Sequence, residues 1–290
     1  MSVRRRQEAL IKVIFPHAKS LVWHEEGQNN AIVFVDQTWV FRFPKHERGE
    51  AELKKEILFL QKYGQGLGLP VPNPHFYNID KTKGPFYSAY RKIAGRPLTN
   101  DSPSEADREA WAEALGRFLT RLHRLPLTSE LLAVLGEPAA PVNGWSDFFE
   151  RVKKMLFPHM RPDARKRVES LCRDMIAAIS KSNEPLTVIH GDFGMGNILI
   201  DPATGRVSGV IDFGSVTIGD PAYDLASLMG TEGRGMGEAF VRRMAAFYPD
   251  LEAQLERANL YRKTFALQEA LFGAEHGDEQ AFAAGMAAYL

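Results

Sequence analysis

The sequence predicts an α+β chain of two lobes, and three observations predict it. Strand-like apolar runs fill the first third, helical spacing dominates after residue 95, and one Asp- and Gly-rich hairpin interrupts the helices within 188–224. The boundary falls at residues 93–97, giving an N-terminal lobe over 1–94 and a C-terminal lobe over 95–290. With 290 residues, 44% of them apolar and 10% aromatic, the chain can bury two cores.

In the first lobe, residues 9–15 read as the apolar face of a short amphipathic helix that Pro16 ends. Residues 21–23, 31–35 and 39–43 alternate as an antiparallel meander, the last two joined tightly at Asp36 and Gln37. Arg42 lies on the third of these strands. Residues 49–63 read as a helix because Leu53, Ile57 and Leu60 recur at i, i+4, i+7. Glu56 sits beside that face and Glu52 one turn earlier, so either can pair with Arg42. Beyond a Gly- and Pro-rich stretch at 64–74, strands are predicted at 75–79 and 86–93, the second containing Tyr90.

In the second lobe, Ser102, Pro103 and Glu105 read as the N-cap, N1 and N3 of a helix running to about Arg124. His123, near its end, reads as a partner of the C-terminal dipole. Two further helices are predicted within 144–181, with Trp145, Phe148 and Phe149 as core. Asp220 and Pro221 read as the cap and first residue of a helix over 222–229, and the last helices are predicted at 234–248 and 252–289.

The hairpin carries the chemistry. Val188 and Ile189 lead into a loop holding His190, Gly191 and Asp192, Asn197 opens the strand 198–200, and the return strand ends at Asp212. The spacing H-x-D-x-x-x-x-N followed by I-D-F-G matches the catalytic and metal loops of protein kinases. Phosphoryl transfer needs such a set: a carboxylate that orients the attacking hydroxyl, and an amide oxygen and second carboxylate that hold magnesium on the phosphates. Hard oxygen donors suit that ion. The expected roles are therefore Asp192 as the base, with Asn197 and Asp212 as metal ligands.

These residues, with Gly219, Asp220, Pro221, Ala222, Tyr223 and Asp224 after them, resemble the aminoglycoside phosphotransferase family, small-molecule kinases of the antibiotic-modifying kind. The Gly after His190, where protein kinases usually carry Arg, favours that branch. The resemblance runs from about residue 25 to the C-terminus and implies a bilobal protein-kinase-like fold, with an antiparallel N-lobe sheet and a mainly helical C-lobe. It implies that Arg42 stands where relatives carry a phosphate-contacting Lys, that Glu56 is its helix partner, and that residues 25–30 cover the phosphates without the glycine-rich loop of protein kinases. The stretch from Tyr90 through Ile93 to Gly95 resembles the hinge whose backbone receives the purine. Tyr90 guards the back of that pocket, which implies GTP as donor, with ATP the alternative. Asp224 is implied to hold the catalytic loop, with His190 and Asp220 as further supports.

The acceptor is read as an aminoglycoside, with a macrolide or a metabolite alcohol as the alternative. Where 2″-phosphotransferases carry an acidic run, this chain offers Glu232 and Glu238, with Gln268 and Glu269 further on. Arg42 and the run 270–282 also resemble macrolide kinases. Lys plus Arg equals Asp plus Glu at 36 each, which gives no global field for nucleic acid or an anionic membrane. No run of eighteen apolar residues exists, and the lone Cys172 cannot form an internal disulfide, so the cytoplasm is the expected compartment; a monomer is expected as well. The rival class, a nucleotide-binding protein without transferase activity, has no use for Asp192.

Overall fold

A computed structural model of the chain describes residues 2–24, 29–98, 103–138, 141–231 and 235–290. In chain order the elements are α1 (Val3–Ile14), β1 (Leu21–His24), β2 (Asn30–Val35), β3 (Trp39–Pro44), α2 (Glu47–Tyr63), β4 (Phe76–Asn78), β5 (Tyr87–Arg91) and β6 (Arg96–Pro97). Then come α3 (Glu105–His123), α4 (Ser129–Leu135), α5 (Pro141–Met155), α6 (Pro162–Lys181), β7 (Thr187–Ile189), β8 (Ile198–Ile200), β9 (Val207–Val210) and β10 (Thr217–Gly219). The chain finishes with α7 (Ala222–Met229), α8 (Gly237–Arg243), α9 (Leu251–His276) and α10 (Glu279–Met286). Among the described residues no helix is long and apolar enough to cross a membrane.

The elements form two compact units. The first comprises Met1–Leu98, Thr128–Leu135 and Asn197–Val216. Its main sheet has the order β1-β2-β3-β5-β4, with every neighbouring pair antiparallel. Asp36 and Gln37, both at positive φ (49° and 55°), make the tight turn between β2 and β3, a geometry whose twist matches that of the flanking strands. Strand alternation then sorts the side chains. Ala31, Val33, Val35, Phe41, Phe43 and Ala89 pack with Ile11 of α1 on one face. Arg42, opposite Ile32 on one side and Ser88 on the other, is left on the other face, where α2 brings Glu56. The His46 ring caps α2 by accepting the Gly49 N–H. A smaller sheet, β6-β8-β9, joins Arg96 to Ile200 and Ile198 to Val210.

The second unit comprises Thr99–Leu127, Gly136–Gly196 and Thr217–Leu290. It is mostly helical, with β7 and β10 paired antiparallel. Three local expectations change. The cap of α3 is Ser104, not Ser102, which lies outside the described residues. Ser104 Oγ accepts the Asp107 N–H and Asp107 accepts the Ser104 N–H, a full capping box. The helix read to residue 248 stops at Arg243 and continues as a single tight turn. The helix read over 252–289 breaks after His276, because Gly277 at φ 70° closes α9 and the Asp278 side chain caps α10. α10 then folds back on α9 so closely that a Cβ on Gly273 would stand 2.3 Å from the Phe282 nitrogen.

Candidate active site

In the first unit the site is built around Arg42. Its Nη1 donates to both oxygens of Glu56, at 2.6 and 2.7 Å, and its Nη2 to Asp212 Oδ1 at 3.0 Å. The choice left open between Glu52 and Glu56 thus falls to Glu56. Glu52 instead accepts from Asn29 and Arg48. Burial works against the Arg42 charge, but the carboxylates of Glu56 and then Asp212 outweigh it and hold the guanidinium more firmly protonated than a free one. Burial is also the largest influence on Glu56 and pushes its carboxyl upward, against the opposing pull of Arg42. The Arg42 and Glu56 side chains are 8% and 3% exposed, whereas that of Asp212 is 49% exposed. One end of this ion chain is therefore buried and the other meets solvent.

The hairpin of β8 and β9 sets Asp212 beside Asn197: the Ile211 N–H donates to the Asn197 carbonyl at 2.9 Å. Asp212 itself adopts φ 64°, ψ 69°, a left-handed conformation that Asp tolerates better than most residues. Among the described residues no group of three or more His, Cys, Asp or Glu side chains could by itself hold a metal ion. One carboxylate and one amide oxygen do suit magnesium, which takes few protein ligands and completes its shell with phosphates and water. Tyr90 is buried on the same sheet face as Arg42, next along β5 from the Ser88 pair. Ile93 packs against β9, where a Cβ on Gly209 would stand 2.8 Å from its Cγ2. The hinge stretch is thus seated by a residue that only glycine can be.

In the second unit the loop after β7 is held from beneath. Asp224, fully buried on α7, accepts the backbone N–H groups of His190 at 2.7 Å and Gly191 at 2.9 Å. His190 is also fully buried, and its Nδ1 accepts the Asp192 N–H at 3.3 Å. Phe193 stacks on Phe118 of α3, fixing the far side of the loop. Asp220 accepts a two-pronged bond from Arg257 (2.7 and 3.1 Å), a bond from the Tyr261 hydroxyl, and the Ala222 N–H that opens α7. Burial, with the nearby Asp192 and Asp224 carboxylates, pushes the Tyr223 hydroxyl up to about 12. Tyr223 donates to Gln268 at 3.1 Å.

His123 departs from its reading as a dipole partner. It is buried, with Nε2 3.1 Å from Asp224 Oδ2 and Nδ1 2.7 Å from the Tyr248 hydroxyl. Beyond it Tyr248 reaches Gln254, and Gln254 reaches Glu184. Tyr248, Gln254, Glu184, Arg257 and Tyr261 were not singled out in the sequence, and nothing local marks them. Among the acceptor candidates, Glu238 bonds Arg242 and Asn259, Glu269 is exposed on α9, and Glu232 lies outside the described residues, as do residues 25–28 of the expected phosphate loop.

The model of a phosphotransferase enzyme family, abbreviated APH, matches residues 22–261. The chain is 36% identical over 234 residues to viomycin phosphotransferase of Streptomyces vinaceus, an alignment covering 78% of this chain and 77% of that one. It is 35% identical to an aminoglycoside 3'-phosphotransferase of Streptomyces fradiae, over 67% of this chain and 72% of the relative. Among solved structures, the GDP complex of wild-type aminoglycoside 2'-phosphotransferase-IIIa superposes with a TM-score of 0.87 at 24% identity, covering 99% and 97% of the two chains.

Proposed function

Since the chain belongs to the phosphotransferase enzyme family, we propose that it moves the γ-phosphoryl group of a nucleoside triphosphate onto a hydroxyl of an antibiotic, with an aminoglycoside as first candidate. It is an enzyme that transfers phosphate to hydroxyl groups. The observation that carries the reading is the Arg42 fork, which ties a helix carboxylate to the half-exposed Asp212. Arg42 keeps N–H groups for a phosphate oxygen. Asn197 and Asp212 would hold magnesium, which when bound neutralises charge on the phosphates. Asp192 orients the acceptor hydroxyl and takes its proton, and Asp224 keeps the backbone before Asp192 in place. Catalysis is then mostly positioning and charge balance.

GTP is the proposed donor and ATP the alternative. Support comes from buried Tyr90 beside Arg42 and from the GDP complex of the superposing enzyme. The lobes are taken to part at residues 94 and 95, and the enzyme is taken as a cytoplasmic monomer. A second acceptor reading has its own support: the 36% identical relative is named for viomycin, and Glu238 is already engaged by Arg242 and Asn259.

The test is Asp192→Asn. It should abolish transfer to a panel of aminoglycosides, viomycin and macrolides, while nucleotide affinity stays within about threefold, because the base meets the acceptor rather than the phosphates. Loss of nucleotide binding by that variant, or turnover with no acceptor on the panel by the unmodified enzyme, would count against the reading.

A further inference from the structure

Four consecutive hydrogen bonds in the second unit fix where their protons lie. A carboxylate only accepts, so the Gln254 amide nitrogen, 3.0 Å from Glu184 Oε2, donates to it, which turns Gln254 Oε1 toward Tyr248. Arg257 Nη2 stands 3.5 Å from the same Glu184 oxygen. An amide oxygen has no proton to give, so the Tyr248 hydroxyl, 2.8 Å away, donates its only one. Toward His123 Nδ1, at 2.7 Å, Tyr248 can then only accept, and Nδ1 must carry a proton. On the other side of the ring, Nε2 lies 3.1 Å from Asp224 Oδ2. Each Asp224 oxygen accepts a backbone N–H, so the carboxylate faces the ring as an acceptor and the proton of that bond sits on Nε2.

We infer that His123 is an imidazolium ion and a positioning residue for phosphoryl transfer, the cationic end of a directed chain that fixes Asp224 and, through it, the backbone of His190 and Gly191. The groups around it are consistent with a cation. Asp224 of α7 and Tyr248 face the ring directly. Glu184 and Asp250 line the same cavity of about 490 Å³, into which Arg124 also turns from the helix end. A neutral ring would leave either Tyr248 or Asp224 facing a bare nitrogen, oxygen to nitrogen, with no proton between them. The loop clamp would then lose one of its supports. The link to turnover rests on Asp192 being the base.

The test reads the ring itself. In the full chain labelled with 15N-histidine, both ring nitrogens of His123, assigned by their disappearance in His123→Gln, should be protonated at about pH 7.5, where a free imidazole is mostly neutral. Tyr248→Phe removes the oxygen that faces Nδ1, so Nδ1 loses the acceptor for its proton and His123 should return to a neutral ring at the same pH. In kinetics, His123→Gln should lower kcat by roughly tenfold or more with the nucleotide KM within about threefold. A bare ring nitrogen in the unmodified protein, or a His123 spectrum unchanged by Tyr248→Phe, would overturn the inference. Should His123→Gln fold poorly, His123→Asn supplies the assignment instead, and the spectra stand apart from whether any acceptor is turned over.

Discussion

Removing the Glu56 carboxylate while leaving Arg42 in place should cost about 3–5 kcal/mol of stability, the range for stripping one partner from a buried ion pair. The structure puts this case near the top of that range. Both Glu56 oxygens rest on Nη1, and Arg42 Nε is buried without a partner among the described residues, so Glu56→Ala leaves the guanidinium with a single bond to the half-exposed Asp212. A charge pair at contact is worth about 4 kcal/mol at the effective dielectric of partly buried sites. With a slope of roughly 2 kcal/mol per molar urea, the unfolding midpoint should fall by about 2 M. Trp23 and Trp39 report on this unit in fluorescence. The double variant Arg42→Met/Glu56→Leu removes both charges and fills the space with apolar groups, and should recover most of the lost stability with no turnover. If Glu56→Ala lowers the midpoint by less than about 0.5 M, or the double variant is no more stable than the single one, the cost does not come from an uncompensated buried charge.

Gln37 occupies a left-handed position in the turn between β2 and β3, so Gln37→Gly should raise stability by about 0.5–1 kcal/mol in thermal melts. The Asp36 carboxylate accepts the N–H groups of Ser20 and Lys19, and these bonds, that from Ser20 foremost, hold its pKa below the usual carboxylate value. A depressed carboxylate contributes stability that is present above its unfolded value and is lost as pH falls through the folded one. The stability gap between the parent and Asp36→Asn should therefore be flat from about pH 7 to 5 and close below about pH 4; a gap that widens in acid contradicts the assignment. Tyr90→Ala should improve ATP use relative to GTP in steady-state kinetics, by roughly tenfold if one misplaced hydrogen bond is relieved. Equal efficiencies in the parent enzyme would remove the basis for that expectation.

The meander, α2 and the hairpin were legible because each carries its own local signal: alternation in β2 and β3, the Leu53, Ile57, Leu60 spacing, and polar residues at strand ends. The partnership of Arg42 with Glu56 was implied by the family resemblance, and only the side-chain geometry decided it against Glu52. The cap of α3 was misread because two overlapping signatures compete, Ser102 with Glu105 and Ser104 with Asp107, and only the side-chain geometry chooses between them. The break between α9 and α10 did have a signal, Gly277 followed by Asp278, which the strong helical pattern on both sides outweighed. The chain from Glu184 to Asp224 had none. Its members come from α3, α7, α9 and two loops, and a single His at a helix end looks the same whether it faces water or a buried carboxylate.

The first unit is assembled from three separated stretches of chain, the last ending at Val216. On a ribosome adding roughly 5–20 residues per second, the five-stranded sheet emerges several seconds before β8, β9 and Asp212 exist. During that interval Arg42 can find Glu56, since α2 is already made, but it has no Asp212 for its second arm. The order of synthesis therefore separates the two halves of the ion chain in time: a nascent chain stopped after residue 98 can form the buried pair, and only release of the hairpin completes the half that meets solvent. Long-range closures of this kind slow folding. The nascent sheet thus passes through a stage that is assembled around its charge yet without the carboxylate proposed to hold the metal.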